Sequence, residues 1–199
     1  MYPADDFENK PIAIWLNGGP GASSIFGNFL EIGPMRLERV NDTDSGYNLY
    51  LAPEGSWVEE ATMIFIDQPV GTGFSYGDTY LTSMSEASEE FTYFLGKLWD
   101  KYTDLEGKDL YMTGESYAGK YLPYFSNKLL EKNDDLNTIK YNLKAVLMGD
   151  PYTAPLTQRT HMYLLPKALN ILDYSNMGQI ATLNRRCQEQ LATDMDLAQ

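Results

Sequence analysis

The stretch Leu110-Tyr-Met-Thr113, followed by Gly114-Glu-Ser116-Tyr-Ala118-Gly119, decides how the chain is read. A short apolar run delivers a serine into a turn with small neighbours, and a helical pattern leaves it. Tyr117, Tyr121, Tyr124 or Phe125, and Lys128-Leu129 follow the helical period, and the helix is expected to end at the polar run Asn133-Asp134-Asp135. Strand, sharp turn and helix make a nucleophile elbow, which holds the serine hydroxyl exposed above a sheet and aims the next backbone N–H at the reaction centre. Ala118 meets the steric demand of the last position, which is for a small side chain, and Gly119 follows it.

A second serine competes on pattern alone. Gly73-Phe-Ser75-Tyr-Gly77 fits G-x-S-x-G strictly, but it lies between the loop Gly71-Thr-Gly73 and the polar stretch Gly77-Asp-Thr, with no helix after it. Ser75 is therefore read as a loop residue and Ser116 as the nucleophile.

Outward from the elbow, the apolar runs Ile12 to Leu16, Met63 to Ile66, Leu110 to Met112 and Ala145 to Met148 read as buried strands. Their unbroken apolar character suits a parallel sheet covered on both faces. Between the second and third, Ala87, Phe91, Phe94, Leu98 and Tyr102 recur at helical spacing, and Ser83 with Glu86 makes a capping box. Strand, helix, strand, helix, strand defines an α/β class. From Pro151 the sequence turns more polar and its helical period weaker, with a break at Pro166, and an inserted or lid region is expected to begin at Pro151.

The first strand runs into Asn17-Gly18-Gly19-Pro20-Gly21-Ala22-Ser23-Ser24, a turn whose glycines let the backbone approach a substrate. A phosphate cradle fails on detail, because the lysine and Ser/Thr of a P-loop are absent and the spacing does not fit G-x-G-x-x-G. In this sheet arrangement an early strand-to-helix loop supplies the second oxyanion donor, so Gly19 and Tyr117 are the candidate N–H groups.

Composition sets outer limits. The 199 residues carry 15 basic against 28 acidic side chains, a formal charge of −13, which disfavours a nucleic-acid partner. No apolar run reaches the roughly 18 residues of a membrane span. The start, Met1-Tyr-Pro-Ala-Asp-Asp, lacks the basic and apolar regions of a signal peptide. Cys187 stands alone, so no internal disulfide or cysteine-based metal site is expected, and it reads as a buried thiol. Asn41-Asp42-Thr43 is a glycosylation triplet in a polar loop.

Three long segments, in order, carry a resemblance: Trp15-Leu-Asn-Gly-Gly-Pro-Gly21 with Ala22-Ser-Ser24, Phe65-Ile-Asp-Gln-Pro-Val-Gly-Thr-Gly-Phe-Ser-Tyr76, and Gly114-Glu-Ser-Tyr-Ala-Gly119. They are similar to the serine carboxypeptidase family, and the match extends through Asn142-Leu-Lys-Ala-Val-Leu-Met-Gly149 before thinning past Pro151. The resemblance implies an α/β-hydrolase fold, mostly parallel with helices on both faces. Residues 1–150 would be the N-terminal part of the catalytic domain, and 151–199 the start of a helical lid.

It implies that Ser116 attacks the scissile carbonyl of a peptide without metal or cofactor, and that the N–H groups of Gly19 and Tyr117 hold the oxyanion. It further implies that Asn17, the N–H of Gly18, Glu31 and Glu115 bind the free C-terminal carboxylate. Two glutamates can face an anion if one carries a proton, since a neutral carboxyl donates a hydrogen bond where two ionised ones repel.

The triad order in this fold is Ser, then Asp or Glu, then His. His161 is the sole histidine, 45 residues after Ser116, and reads as an ordinary residue of the insertion. The family's sheet has strands before Ile12 and after Met148, so the sequence is expected to be clipped at both ends and inactive alone. A fragment, or a two-chain enzyme whose partner chain carries Asp and His, would account for this. An acyltransferase or esterase on the same scaffold, and a silent interaction protein, remain alternative readings. Vacuolar, lysosomal or secreted localisation follows from resemblance only. Two departures stand out: Ala22, where a disulfide cysteine is usual, and Asp150, where asparagine is.

Overall fold

The computed structural model describes residues 1–40, 46–52, 54–136 and 140–193. The chain divides into two compact units, Met1–Pro151 and Tyr152–Gln199. The Asn41-Asp42-Thr43 triplet lies outside the described residues.

The first unit is built on a four-stranded parallel sheet in the order β4-β1-β5-β6, where β1 is Ile12–Leu16, β4 Thr62–Phe65, β5 Asp109–Glu115 and β6 Asn142–Gly149. A hairpin of β2 (Met35–Arg39) and β3 (Tyr47–Leu51) stands apart from it. All five residues of β1 are buried, as expected for a central strand with both faces covered. Ile12, Ile14 and Leu16 face one way with Leu110 and Met112, under α1 (Met84–Lys101) and α2 (Ala118–Leu136). Ala13, Trp15, Met63 and Phe65 face the other way, beneath the helical turns Gly27–Glu31 and Trp57–Glu59.

The four strands fall where the apolar runs placed them, with β5 and β6 longer. Both helices need correction in detail. The buried side of α1 is Ala87, Ser88, Phe91, Thr92, Leu95 and Trp99, while Phe94 and Tyr102 are exposed. An 18-residue helix turning 3.6 residues at a time drifts off a strict three-and-four reading, and Leu95 and Trp99 take the later places. The Ser83 hydroxyl accepts from the Glu86 N–H at 3.2 Å, and the Glu86 carboxylate accepts from Thr82 N–H at 2.8 Å. Those bonds, the one from Thr82 N–H first, hold the Glu86 carboxyl below its ordinary range.

The other helix, α2, does not stop at Asn133-Asp134-Asp135 but runs through them to Leu136. Asn133 is held there by the returning chain. Its Oδ1 accepts from Lys140 and Tyr141 N–H, both at 3.0 Å, and its Nδ2 donates to the Tyr141 carbonyl at 2.8 Å.

Where α1 meets α2, Phe91 and Phe125 stack at 4.3 Å and Tyr121 stacks on Phe125 at 5.6 Å. Phe125 is completely buried, so Phe125→Ala removes the ring shared by both helices. It is expected to cost about 3–5 kcal/mol, read as a lowered thermal midpoint.

The second unit contains α3 (Pro155–His161), α4 (Leu164–Ala168) and α5 (Tyr174–Thr193), with α3 packed on α5. Asp173 caps α5, accepting from Asn176 N–H at 2.8 Å and from the Ser175 hydroxyl at 2.7 Å. These bonds, the Ser175 hydroxyl first, hold its carboxyl below the usual range. Cys187, on α5, is half-buried rather than buried, because the helix carries few apolar residues around it to form a cover.

Candidate active site

Strands β1, β5 and β6 end together. In register, Leu16 pairs with Gly114, and Gly114 and Glu115 pair with Met148 and Gly149. The chain leaving β1 as the Gly-rich loop therefore meets the chain leaving β5 at Ser116.

Ser116 has φ 56°, the left-handed region that a residue with a Cβ occupies only when its surroundings hold it there. Two sets of bonds hold it. The Ser116 N–H donates to the Gly149 carbonyl at 3.0 Å, and Gly119 N–H reaches back to the Ser116 carbonyl at 3.0 Å, opening α2. Ser116 is exposed, while Gly114 and Ala118 on either side are buried. A Cβ on Gly114 would lie 2.3 Å from the Leu16 carbonyl oxygen and 2.8 Å from the Ala118 methyl, so the small residues of the motif lean on one another. Asp150 also lies in the left-handed region, at φ 41°. Asn and Asp tolerate that region better than other side chains, so either fits there.

Ser75 is built differently. Its hydroxyl donates to the Asp67 carbonyl at 2.6 Å, and its backbone closes a tight turn through Ser75 N–H to Thr72 O and Gly71 N–H to Ser75 O, with no helix following. A cavity of about 440 Å³ lies beside this loop, lined by Ser75, Gln68, Phe91, Phe94 and Leu98, and Ser116 does not open into it.

The Gly-rich loop packs directly on the elbow. A Cβ on Gly18 would stand 2.4 Å from the Tyr117 nitrogen and 2.9 Å from both the Glu115 carbonyl oxygen and the Ser116 Cβ. Only glycine allows that approach. Gly19, at φ 107°, is exposed beside it. The Tyr117 ring meets Tyr121 edge-on at 5.1 Å. Burial pushes the Tyr121 phenol up to about 12, with the Gly21 backbone beside it acting the other way.

Asn17, Glu31 and Glu115 converge behind this loop. Asn17 is buried, and its Nδ2 donates to Glu115 Oε1 at 2.9 Å. Its Oδ1 accepts from Trp15 Nε1 at 2.8 Å and from Gly27 N–H at 3.1 Å. The second bond seats the π-helical turn Gly27–Glu31, which ends on Glu31. Burial raises the Glu31 carboxyl above its ordinary value, the Glu115 charge raises it further, and Asn17 partly offsets both. Glu31 Oε2 is buried without a hydrogen-bond partner.

His161 sits in the second unit, where its Nδ1 meets the Thr157 carbonyl at 2.7 Å and the Thr160 hydroxyl at 3.2 Å. Among the described residues no group of His, Cys, Asp and Glu is arranged to hold a metal ion. None of the described helices is long and apolar enough to cross a membrane.

Sequence reading missed Asp67. Oδ1 of Asp67 accepts from the Ser23 hydroxyl at 2.6 Å and Ser24 N–H at 2.8 Å, and Oδ2 accepts from Phe74 N–H at 2.9 Å. An acid just past an apolar strand, ahead of a Gly-rich run, was the available signal.

A parallel sheet with a strained serine between its central strand and the following helix defines the α/β-hydrolase fold. The chain belongs to the serine carboxypeptidase family, whose model matches residues 1–198. It is 44% identical over 160 residues to the pheromone-processing carboxypeptidase KEX1 of Tuber melanosporum, covering 76% of this chain and 24% of that protein. The KEX1 protein of Chaetomium globosum gives the same identity and coverage. Among solved structures, a prohormone-processing carboxypeptidase of Saccharomyces cerevisiae, Kex1(Δ)p, superposes with a TM-score of 0.84 at 32% identity, over 97% of this chain and 42% of that one. The chain thus spans about a quarter of the length of the curated relatives it matches.

Proposed function

We propose that this chain carries the nucleophile and the substrate-carboxylate site of a serine carboxypeptidase, removing residues from peptide C-termini through an acyl-enzyme. The observation that carries the reading is the convergence, at one sheet end, of the strained exposed Ser116 with Gly18 and the Asn17–Glu115 bond. Ser116 Oγ adds to the scissile carbonyl as its proton passes to a histidine base. The N–H groups of Gly19 and Tyr117 hold the oxyanion, and as the histidine returns its proton to the leaving amine the intermediate collapses, releasing the C-terminal residue and leaving an ester on Ser116. Water then attacks that ester and restores the serine.

Asn17, the Gly18 N–H, Glu31 and Glu115 take the substrate's free carboxylate. The Glu31 carboxyl, raised by burial and by the Glu115 charge, is the member that holds its proton to higher pH than an ordinary carboxyl and can donate while it does. That carboxylate site favours a carboxypeptidase over an esterase or acyltransferase acting on substrates without a free carboxylate.

We assign the base and its orienting acid to residues outside these 199. The His161 Nδ1 faces the Thr157 carbonyl, where a triad histidine faces a carboxylate. We assign Tyr152–Gln199 to the start of the lid insertion, and the enzyme to a vacuolar, lysosomal or secretory lumen. The charge of −13 and the raised Glu31 carboxyl at the site both suit acidic surroundings.

The test is hydrolysis of an N-blocked dipeptide by the full-length protein, compared with its C-terminal amide, between pH 4 and 8. The free acid is expected to be cleaved far faster than the amide, with KM lowest at acidic pH and rising as pH climbs through the elevated Glu31 value. Glu31→Gln, a permanent neutral donor, is expected to flatten that rise. Equal cleavage of acid and amide, or a KM independent of pH in both proteins, would count against the reading.

The same group affects folding. With a folded-state value above the unfolded 4.5, the neutral Glu31 contributes stability that is fully present below pH 4.5. That contribution is lost as pH rises through the raised value. Glu31→Gln is therefore expected to gain thermal stability over the wild type at neutral pH and to match it most closely at acidic pH.

A further inference from the structure

We propose that Asp67 is the positioning residue of the oxyanion loop, acting on catalysis through Ser23 and Ser24 without touching the substrate. The inference rests on the assignment of Ser116 as nucleophile and of Gly19 as oxyanion donor.

The two strands that carry these loops, β1 and β4, pair in parallel as far as Trp15 with Phe65. Beyond that point the ladder is continued by side chains. The Asn17 N–H donates to Ser24 Oγ at 3.1 Å, and Ser24 Oγ donates onward to the Ile66 carbonyl at 2.6 Å. One residue later, Asp67 Oδ1 receives both the Ser24 N–H and the Ser23 hydroxyl. Asn17 and Ser24 are 2% and 1% exposed, so water does not compete for these bonds.

The result is a closed loop. Asn17 and Ser24, which bracket Gly18 and Gly19, are bonded to each other, Ser24 is fastened to Ile66 and Asp67 just past β4, and Ala22 N–H closes the loop from within on the Gly18 carbonyl at 3.1 Å. Backbone donors stabilise an oxyanion only when held within a few tenths of an ångström of their place. The loop has no helix or strand of its own to hold it, and the Asp67 carboxylate supplies that rigidity.

The carboxylate's other oxygen fixes the second loop through Phe74 N–H. The fit is close, since a Cβ on Gly73 would fall 2.1 Å from Asp67 Oδ2. Three donors converge on one acceptor pair, and a carboxylate accepts all three. An asparagine cannot, because its NH2 group must face either the serines or Phe74 N–H. With the amide oxygen toward the serines, Asp67→Asn keeps the oxyanion loop fastened and releases only the second loop.

The test uses full-length wild type, Asp67→Ala, Asp67→Asn and Ser23→Ala, measuring kcat and KM on an N-blocked dipeptide and the rate of fluorophosphonate labelling. All values are normalised to folded protein by thermal melt. Asp67→Ala is expected to lower kcat and labelling together by about 100-fold, the order seen when one oxyanion donor is lost, with a smaller rise in KM because Gly18 lies in the loosened loop while Asn17 keeps its bonds to Trp15, Gly27 and Glu115. Ser23→Ala, which keeps the Ser24 N–H bond, is expected to lose about tenfold in kcat, and Asp67→Asn less than that.

A loss that disappears on normalisation, or that falls on KM with kcat intact, would overturn the proposal. Should Asp67→Ala fail to fold, Ser23→Ala decides, and an unchanged kcat there refutes the idea. A wild-type protein that neither cleaves the peptide nor labels would bring down the proposed function and this inference with it. Active wild type with unaltered variants brings down this inference alone.

Discussion

Ser116→Ala in the full-length protein is expected to lower kcat for peptide hydrolysis by at least about 10⁴-fold, the range found when a serine nucleophile is removed. No neighbouring group can take over. The hydroxyl of Ser75 is bonded to the Asp67 carbonyl in a turn without a following helix. A second substitution at the same site separates chemistry from strain. Ser116 holds φ 56°, which costs a residue with a Cβ about 1 kcal/mol or more and costs glycine much less. Ser116→Gly should therefore be as inactive as Ser116→Ala but melt at least as high, the released strain offsetting the roughly 0.5–1 kcal/mol that glycine's greater unfolded-state freedom costs. A Ser116→Gly protein that melts lower than Ser116→Ala by that full entropic cost would mean that the elbow stores no strain.

The other large effect is expected at Gly18. A methyl there meets the Tyr117 nitrogen at 2.4 Å and the Glu115 carbonyl oxygen at 2.9 Å, both backbone atoms that cannot swing aside. Gly18→Ala must push the Gly-rich loop off the turn at Ser116. Labelling by a fluorophosphonate should fall by at least about 10³-fold, since the proposed Gly19 donor and the proposed carboxylate site both move with Gly18. Gly114→Ala, 2.3 Å from the Leu16 carbonyl oxygen, should destabilise instead, by about 3 kcal/mol or more. Gly149→Ala is the control. Its nearest contact would be 3.8 Å, ordinary van der Waals distance, and its stability should change by less than about 0.5 kcal/mol.

Much of the fold was legible because its core strands are short apolar runs bounded by turn residues. Ile12 to Leu16 is buried at every position and could hardly be read otherwise. The hairpin Met35–Arg39 with Tyr47–Leu51 was not read, because it is half-exposed or exposed throughout and shows no alternation between a wet and a dry face. The extension of α2 through Asn133 was hidden for a different reason. Asn133-Asp134-Asp135 has the composition of a loop, and only the bonds from Lys140 and Tyr141, set by the tertiary path, retain it in the helix.

At the site, strand-then-helix logic separates Ser116 from Ser75 without any three-dimensional knowledge. The grouping of Asn17, Glu31 and Glu115 rested on resemblance, since residues 98 apart in sequence meet only because β1 and β5 pair in register. Asp67 escaped notice because its partners, Ser23 and Ser24, are more than forty residues away and have no pattern of their own.

The most direct measurement is the position of the covalent adduct. The full-length protein is treated with a fluorophosphonate at acidic pH, digested, and mapped by mass spectrometry. The account predicts a single modified peptide, with the phosphonyl group on Ser116 and none on Ser75. An adduct on Ser75, or peptide hydrolysis by a protein whose Ser116 is left unmodified when activity is fully inhibited, would contradict it.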